Sequence, residues 1–180
     1  DVFQIVLARK FSQKFSGDEF CVYRQLRSIN PSPYLFYFDY GNFKIFGSSP
    51  EAQLIIKDKK AEIHPIAGTF KRTGNDEVDH KKAKKLFKDD KENSEHMMLV
   101  DLARNDLSRS CNDVKVEKDR EIQFYSHVIH LVSKVTGKMK TSSKEIIGST
   151  FPAGTLTGAP KHKAMNLIEK YEKNSRSFYG

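Results

Sequence analysis

Two glutamates three residues apart, Glu92 and Glu95 in DDKENSEHMMLVDLARNDLSR (residues 89–109), carry the first chemical possibility in this chain. On a helix that spacing brings both carboxylates to one face, about one turn apart. The apolar residues 97–100 follow directly, so the face is expected to pass from solvent into a core and leave its acids at a half-buried edge. A carboxylate there can hold a divalent cation through oxygen, or stay protonated near neutral pH and act as a general acid. The competing reading is a solvated helix face, the ordinary place for acids in a chain with 30% charged residues.

Two glycine-threonine segments add to this. In PIAGT (residues 65–69) a strand is expected to close in a turn, where Gly68 admits close backbone approach and Thr69 offers a hydroxyl. FPAGTLTGAPK (residues 151–161) repeats the theme around Thr155 at a helix start, where free N–H groups and the helix dipole favour an anion. Together they point to a carboxylate- or phosphate-bearing ligand, while each alone is a common loop. In YSHVIHLVS (residues 125–133) the strand period of two puts His127 with Ile129 and Leu131, and His130 with Val128 and Val132. The two histidines cannot share one metal, and His130 matters only where its face meets the acids.

These groups need a frame. Residues 2–11 are rich in β-branched side chains and read as a buried strand. Residues 20–29 show helical spacing and stop at Asn30-Pro31-Ser32-Pro33, because a residue before proline is pushed out of the helical region. Residues 34–46 read as two strands joined through Asp39-Tyr40-Gly41-Asn42. A short segment to residue 56 and a charged turn at 57–60 precede a strand over 61–66. The stretch 76–109 reads as helical with a break near 89–90, 114–118 and 122–137 as strands, and 144–149 as a short helix. A closing helix runs to about residue 173 from Pro160, whose missing N–H is no loss at that position. Antiparallel strands with surrounding helices, rather than strict alternation, predict an α+β fold.

At 180 residues the chain fits about one domain and can bury a sizeable core. Its 13 Phe, 7 Tyr and 38% hydrophobic residues place it among folded chains. The excess of 31 basic over 23 acidic residues gives +8, with Lys81, Lys82, Lys84, Lys85 and Lys88 bunched. No aromatic-and-glycine motif or zinc pattern accompanies that run, so it reads as a solvated helix face and no nucleic-acid partner is expected. Cys21 and Cys111 lack metal spacing, no signal peptide is read, and no run reaches the ~18 apolar residues of a membrane span. A cytoplasmic protein without a membrane partner is the expectation. Asp1 inside an apolar pattern and Gly180 straight after a helical segment read as cut ends of something longer.

In combination the motifs resemble a known family. DVFQIVLARKF, NPSPYLFYFDYG, FGSSPEAQL, HPIAGTFKRTG, KENSEHMMLVDLARNDL, YSHVIHLVSKVTG and FPAGTLTGAPKHKAM follow in order the pattern of the chorismate-utilising enzymes, and within them that of the anthranilate synthase large subunits. The resemblance implies an anthranilate synthase-like chorismate-binding fold, incomplete at both ends, with residues 1–180 as part of the catalytic domain. It implies Mg²⁺-dependent amination of chorismate at C2 by ammonia, then pyruvate elimination to anthranilate for tryptophan biosynthesis. Glu95 matches a Mg²⁺ ligand and Glu92 the acid that protonates the departing 4-hydroxyl. His130 matches the residue that takes the ring proton as pyruvate leaves, and Gly68, Thr69 and Thr155 match positions that line the substrate.

The resemblance also bears on the nucleophile. Relatives that use water carry a lysine base at the position of Gln4, and many aminodeoxychorismate synthases carry a nucleophilic lysine at the position of Ala67. An amide and a methyl group do neither job, so ammonia is implied, supplied by a separate glutamine amidotransferase subunit. Pro33, Tyr34 and Leu35 match one half of a tryptophan effector pocket. The chain departs from the family at Phe70-Lys71-Arg72-Thr73, where RPRG is frequent, and Arg72 is given no substrate role. A second glutamate for Mg²⁺, an arginine for a substrate carboxylate and a glycine-rich cradle are implied beyond Gly180, so this chain alone is expected to turn over little. The alternatives are an aminodeoxychorismate synthase component I of the folate pathway, without its lysine, and a tryptophan-responsive regulatory module.

Overall fold

Strand-forming and helix-forming stretches alternate irregularly along the chain, and in the computed structural model, which describes residues 2–179, they build an α+β fold. Asp1 and Gly180, read above as cut ends, lie outside the described residues. The elements run β1 (Gln4–Ile5), α1 (Glu19–Ile29), β2 (Tyr34–Asp39), β3 (Lys44–Ser49), β4 (Ile55–Lys57), β5 (Lys60–Ile63), β6 (Ile66–Lys71), α2 (Asp76–Phe87) and α3 (Asp90–Ser108). They continue with β7 (Cys111–Phe124), β8 (Val128–Met139), α4 (Ser143–Thr150), the single turn α5 (Gly154–Thr157), β9 (Gly158–Ala159) and α6 (Lys161–Tyr171).

Strand β8 is the centre of an antiparallel five-stranded sheet. Ile129, Leu131, Val132, Ser133, Val135 and Thr136 along it are all buried, so both of its faces are covered. Strand β7 pairs along one edge, while β5 and β6 lie end to end along the other. Helix α3 crosses β6, β7 and β8. Its Val100, Ala103 and Leu107 pack with Ala61, Cys111, Val135 and Ile146, and a second cluster joins Ala83 and Leu86 of α2 to Ile129 and Leu131. The expected break between the two helices is at Asp89, whose side chain leaves the first helix's path and accepts from the N–H groups of Lys91 and Glu92.

Three expectations are corrected. The strand expected over residues 2–11 narrows to Gln4–Ile5, which pairs with the two residues of β9; Leu7 and Phe11 beyond it are exposed, not buried. The turn expected at 67–69 is instead a bulge inside β6: the register against β8 shifts between Ala67 and Thr69, and Gly68 takes the positive φ of 70° that this needs. The continuous ladder of β8 carries the strand on to Lys71. The expected strands over 114–118 and 122–137 divide elsewhere: the gap around residue 120 is a bulge, with Arg120 at φ 49°, so β7 runs to Phe124, and the break comes at 125–127, where the chain turns into β8.

Hairpin β2–β3 forms a separate two-stranded sheet against which α1 packs through Phe20, Tyr23, Tyr37 and Phe46. Tyr34 and Leu35 belong to it, opposite Ser49 and Ser48. Lys81, Lys84, Lys85 and Lys88 are exposed around α2. Arg72 is committed to structure, donating to Asp79 Oδ2 (3.1 Å) and to the Tyr125 carbonyl (3.1 Å). Among the described residues no helix is long and apolar enough to cross a membrane.

Candidate active site

The buried stripe of α3 ends, toward its N-terminus, at a cleft of about 330 Å³. Glu92, Glu95 and Leu99 line it from α3, Ile66, Ala67, Gly68 and Thr69 from β6, Gln4 from β1 and Thr155 from α5. Gln4, Ala67, Gly68, Thr69, Glu92, Glu95 and Thr155, singled out from the sequence, therefore meet in one place. Both acids are half-buried, at the edge where the helix passes into the core. The segment around Thr155 differs from expectation: α5 is a single turn, and the closing helix α6 starts only after Pro160.

Close backbone approach shapes two walls of the cleft. A Cβ on Gly68 would stand 2.9 Å from Leu86 Cδ1 of α2 and 3.3 Å from Glu92 Oε2 of α3, so those two side-chain ends would have to shift to admit it. A Cβ on Gly158 would collide with the Gln4 carbonyl oxygen, so β1 and β9 are equally close. Gln4 Nε2 donates to Glu95 Oε1 at 3.1 Å and fixes that carboxylate. Thr157, buried one turn from Ala153, donates to its carbonyl at 3.1 Å and steadies the turn that carries Thr155.

His130 is not among the residues lining the cleft and joins it through β6. Its Nδ1 lies 3.1 Å from the Gly68 carbonyl oxygen and 3.2 Å from Thr69 Oγ1. A carbonyl only accepts, so Nδ1 carries a hydrogen, and of the two neutral tautomers this contact selects the one with the lone pair on Nε2. Tyr125 packs edge-on against this ring, with centroids 5.3 Å apart. His127 is exposed and touches the Ile29 carbonyl (3.3 Å), apart from the site. His96, next to Glu95, turns into the core, where burial lowers its pKa and Nε2 meets Ser133 Oγ at 2.7 Å. Pro33, Tyr34 and Leu35 do not line the cleft.

No group of three or more His, Cys, Asp or Glu side chains among the described residues is arranged to hold a metal ion. What the cleft offers is the Glu95 carboxylate, the Glu92 carboxylate one turn away and the buried Gln4 Oε1, which has no hydrogen-bond partner. These are hard oxygen donors, fewer than a full shell. Such a set fits a cation like Mg²⁺, which binds through one or two carboxylates and keeps waters or substrate oxygens for its other positions.

Glu51 was missed as a site residue. Burial pushes its pKa up to about 7, and it lines a cavity that shares Leu99 and Thr155 with the cleft. A signal was available: it is the one charged residue in IFGSSPEAQLII, residues 45–56. Tyr125 is near enough to feel it, since burial first and then the Glu51 carboxylate raise the pKa of its phenol.

The cleft gathers two carboxylates, two threonine side chains and a glycine bulge beside a core helix. All residues from 1 to 180 match the family model of the chorismate binding enzymes, and the chain belongs to that family. Anthranilate synthase component 1 of Aquifex aeolicus is 44% identical over 183 residues, which are 99% of this chain and 37% of that protein. The crystal structure of anthranilate synthase component I from Streptococcus pneumoniae TIGR4 superimposes with a TM-score of 0.80 at 38% identity, covering 90% of this chain and 36% of that one. The menaquinone-specific isochorismate synthase of Escherichia coli shares the fold, with a TM-score of 0.73 at 23% identity over 79% of this chain and 33% of that one. The chain thus spans little more than a third of the length of these relatives.

Two outcomes follow from this geometry. Gly68→Ala is expected to lose about 1–2 kcal/mol from its left-handed backbone alone and to push Glu92 out of place; an unchanged urea midpoint contradicts this. Glu51 binds its proton more tightly in the folded chain than at its ordinary 4.5, so stability falls as pH rises from there to about 7. At about 1.4 kcal/mol per pH unit the loss reaches about 3 kcal/mol. Unfolding curves of Glu51→Gln and the parent should therefore run parallel below pH 4.5 and diverge up to about 7, the variant being the less pH-sensitive.

Proposed function

We propose that the protein containing this chain is the large subunit of an anthranilate synthase: it adds ammonia to C2 of chorismate, expels the 4-hydroxyl and eliminates pyruvate to leave anthranilate. The observation that carries this is the pair Gln4 and Ala67 in the acid-lined cleft. The fold is shared with an isochorismate synthase, so the fold does not choose the nucleophile. The residues at these two positions do. An amide whose N–H is already given to Glu95 cannot deprotonate water, and a methyl group cannot attack the ring. Ammonia then attacks directly, and a glutamine amidotransferase subunit supplies it.

The chain's own groups divide the remaining work. Thr69 and Thr155 offer hydroxyls to the substrate beside the bulge at Gly68. Gln4 holds Glu95 in the rotamer that faces the cleft, and Glu95 is the Mg²⁺ ligand of this half of the site. Mg²⁺, when bound, supplies positive charge for the ring carboxylate of chorismate. Glu92 gives a proton to the departing 4-hydroxyl, which leaves as water. His130 Nε2, held as the lone-pair nitrogen by the Gly68 carbonyl, accepts the C2 proton as the enolpyruvyl C–O bond breaks and the ring aromatises. Burial at Glu51 favours a second reading of the donor, because a carboxyl with a pKa of about 7 is about half protonated at neutral pH. Pro33, Tyr34 and Leu35 remain the proposed share of a tryptophan feedback pocket on the hairpin side. A cytoplasmic setting accords with an enzyme of small-molecule biosynthesis.

The test is product analysis on the full-length protein with Mg²⁺, chorismate and ammonium. Anthranilate is the expected product; accumulation of aminodeoxychorismate or isochorismate overturns the assignment. In the same assay Glu92→Gln and Glu51→Gln separate the two donors, because removing a general acid lowers kcat by on the order of 10²–10⁴. The larger kcat loss, with KM little changed, marks the residue that protonates the leaving group.

A further inference from the structure

The wall of the cleft that carries Gln4 has little secondary structure of its own. Strand β1 pairs with β9 through two residues, flanked by hydrogen bonds from Phe3 N to Ala159 O (2.8 Å) and Val6 N to Thr157 O (2.9 Å). A pairing of this length is marginal by itself. The ladder nevertheless continues, with side chains in place of a strand. Arg176 Nη2 donates to the Val6 carbonyl at 2.7 Å, and Glu172 Oε1 accepts from the Ala8 N–H at 2.7 Å, so one ion pair serves both backbone groups beyond the end of β9.

The same guanidinium reaches the turn that carries Thr155. Its Nη1 donates to the carbonyl of Leu156, the residue after Thr155, while Nε donates to Glu172 Oε2 at 2.8 Å. Both side chains are nearly buried, at 10% and 12% exposure. Charge-assisted bonds in such a setting are short and directional, and losing one partner leaves an uncompensated buried charge. Arg176 and the Ala8 N–H hold the Glu172 carboxyl down at about 2, so the pair stays ionised throughout the neutral range. A lysine cannot replace the arginine here, because one ammonium lacks the planar fork that reaches three chain segments together.

We infer that Arg176 and Glu172 are positioning residues of the cleft: as one ion pair they hold the strand bearing Gln4 and the turn bearing Thr155 in mutual register. Neither touches the cleft itself. The inference deepens the functional reading above and rests on it only for the catalytic arm of its test.

The experiment uses the full-length protein with Arg176→Lys and Glu172→Gln. Hydrogen exchange followed by mass spectrometry reads the peptides covering residues 2–10 and 151–160, with a peptide over 92–100 as internal control. Arg176→Lys is expected to speed exchange in the first two together by tenfold or more and to leave the third unchanged. Glu172→Gln, which keeps the bonds to Val6 and Leu156, is expected to do so less. In turnover of chorismate, KM rises about tenfold in Arg176→Lys while kcat changes less. Unchanged exchange in either segment overturns the inference, as does a lowered melting temperature with KM and kcat intact, which is the mark of a purely structural ion pair. If the parent protein leaves chorismate untouched, the functional reading falls and the exchange arm still decides the clamp. If Arg176→Lys does not fold, Glu172→Gln decides it by the same two criteria.

Discussion

The site depends on a missing side chain. At residue 68 the backbone of β6 takes a positive φ that glycine adopts without strain, and a Cβ there would press on the side-chain ends of Leu86 and Glu92. The same bulge turns the Gly68 carbonyl toward His130, which fixes the tautomer of the ring. One bulge thus governs the placement of an acid, a hydroxyl and an imidazole.

Helix α3 converts core packing into orientation of the acids. Val100, Ala103 and Leu107 are held among Ala61, Val135 and Ile146, while Glu92 and Glu95 sit two turns earlier on the same cylinder. The hydrophobic contacts that favour folding therefore aim the carboxylates as well, and no separate framework is needed. A buried ion pair extends the arrangement: Lys161 Nζ reaches Asp106 of α3 and the Thr150 carbonyl, tying the start of α6 to the far end of the same helix.

Local patterns were legible in the sequence and long-range consequences were not. The i,i+3 acids, the break at Asp89 and the hairpin around Gly41 rest on neighbours a few residues away, and each is where the local chemistry puts it. The motif order was enough to bring Gln4, Ala67 and Thr155 into the same account as Glu92 and Glu95. Glu51 was overlooked because the cavity it lines is shared with Leu99, Asp106 and Thr150, which lie far along the chain. Gly68 was read as a turn because glycine usually marks one; only the ladder on β8 shows that the strand carries on. The apolar residues of 2–11 suggested a full strand, yet β9 offers just two partners, and the rest of that stretch is held by side chains that no local pattern announces.

The ion pair between Glu172 and Arg176 has a consequence for how the molecule is made. Val6 and Arg176 are separated by 170 residues, so the segment that carries Gln4 stays without its anchor through the synthesis of everything between them. The sheet around β8 and the acids of α3 are assembled from residues closer together in the chain, and contacts of short sequence separation form sooner. On a ribosome, the wall with the two carboxylates precedes the wall with the amide. A chain synthesised only as far as β8 accordingly holds an open half-cleft, and the wall with the amide is anchored only once Arg176 has been made.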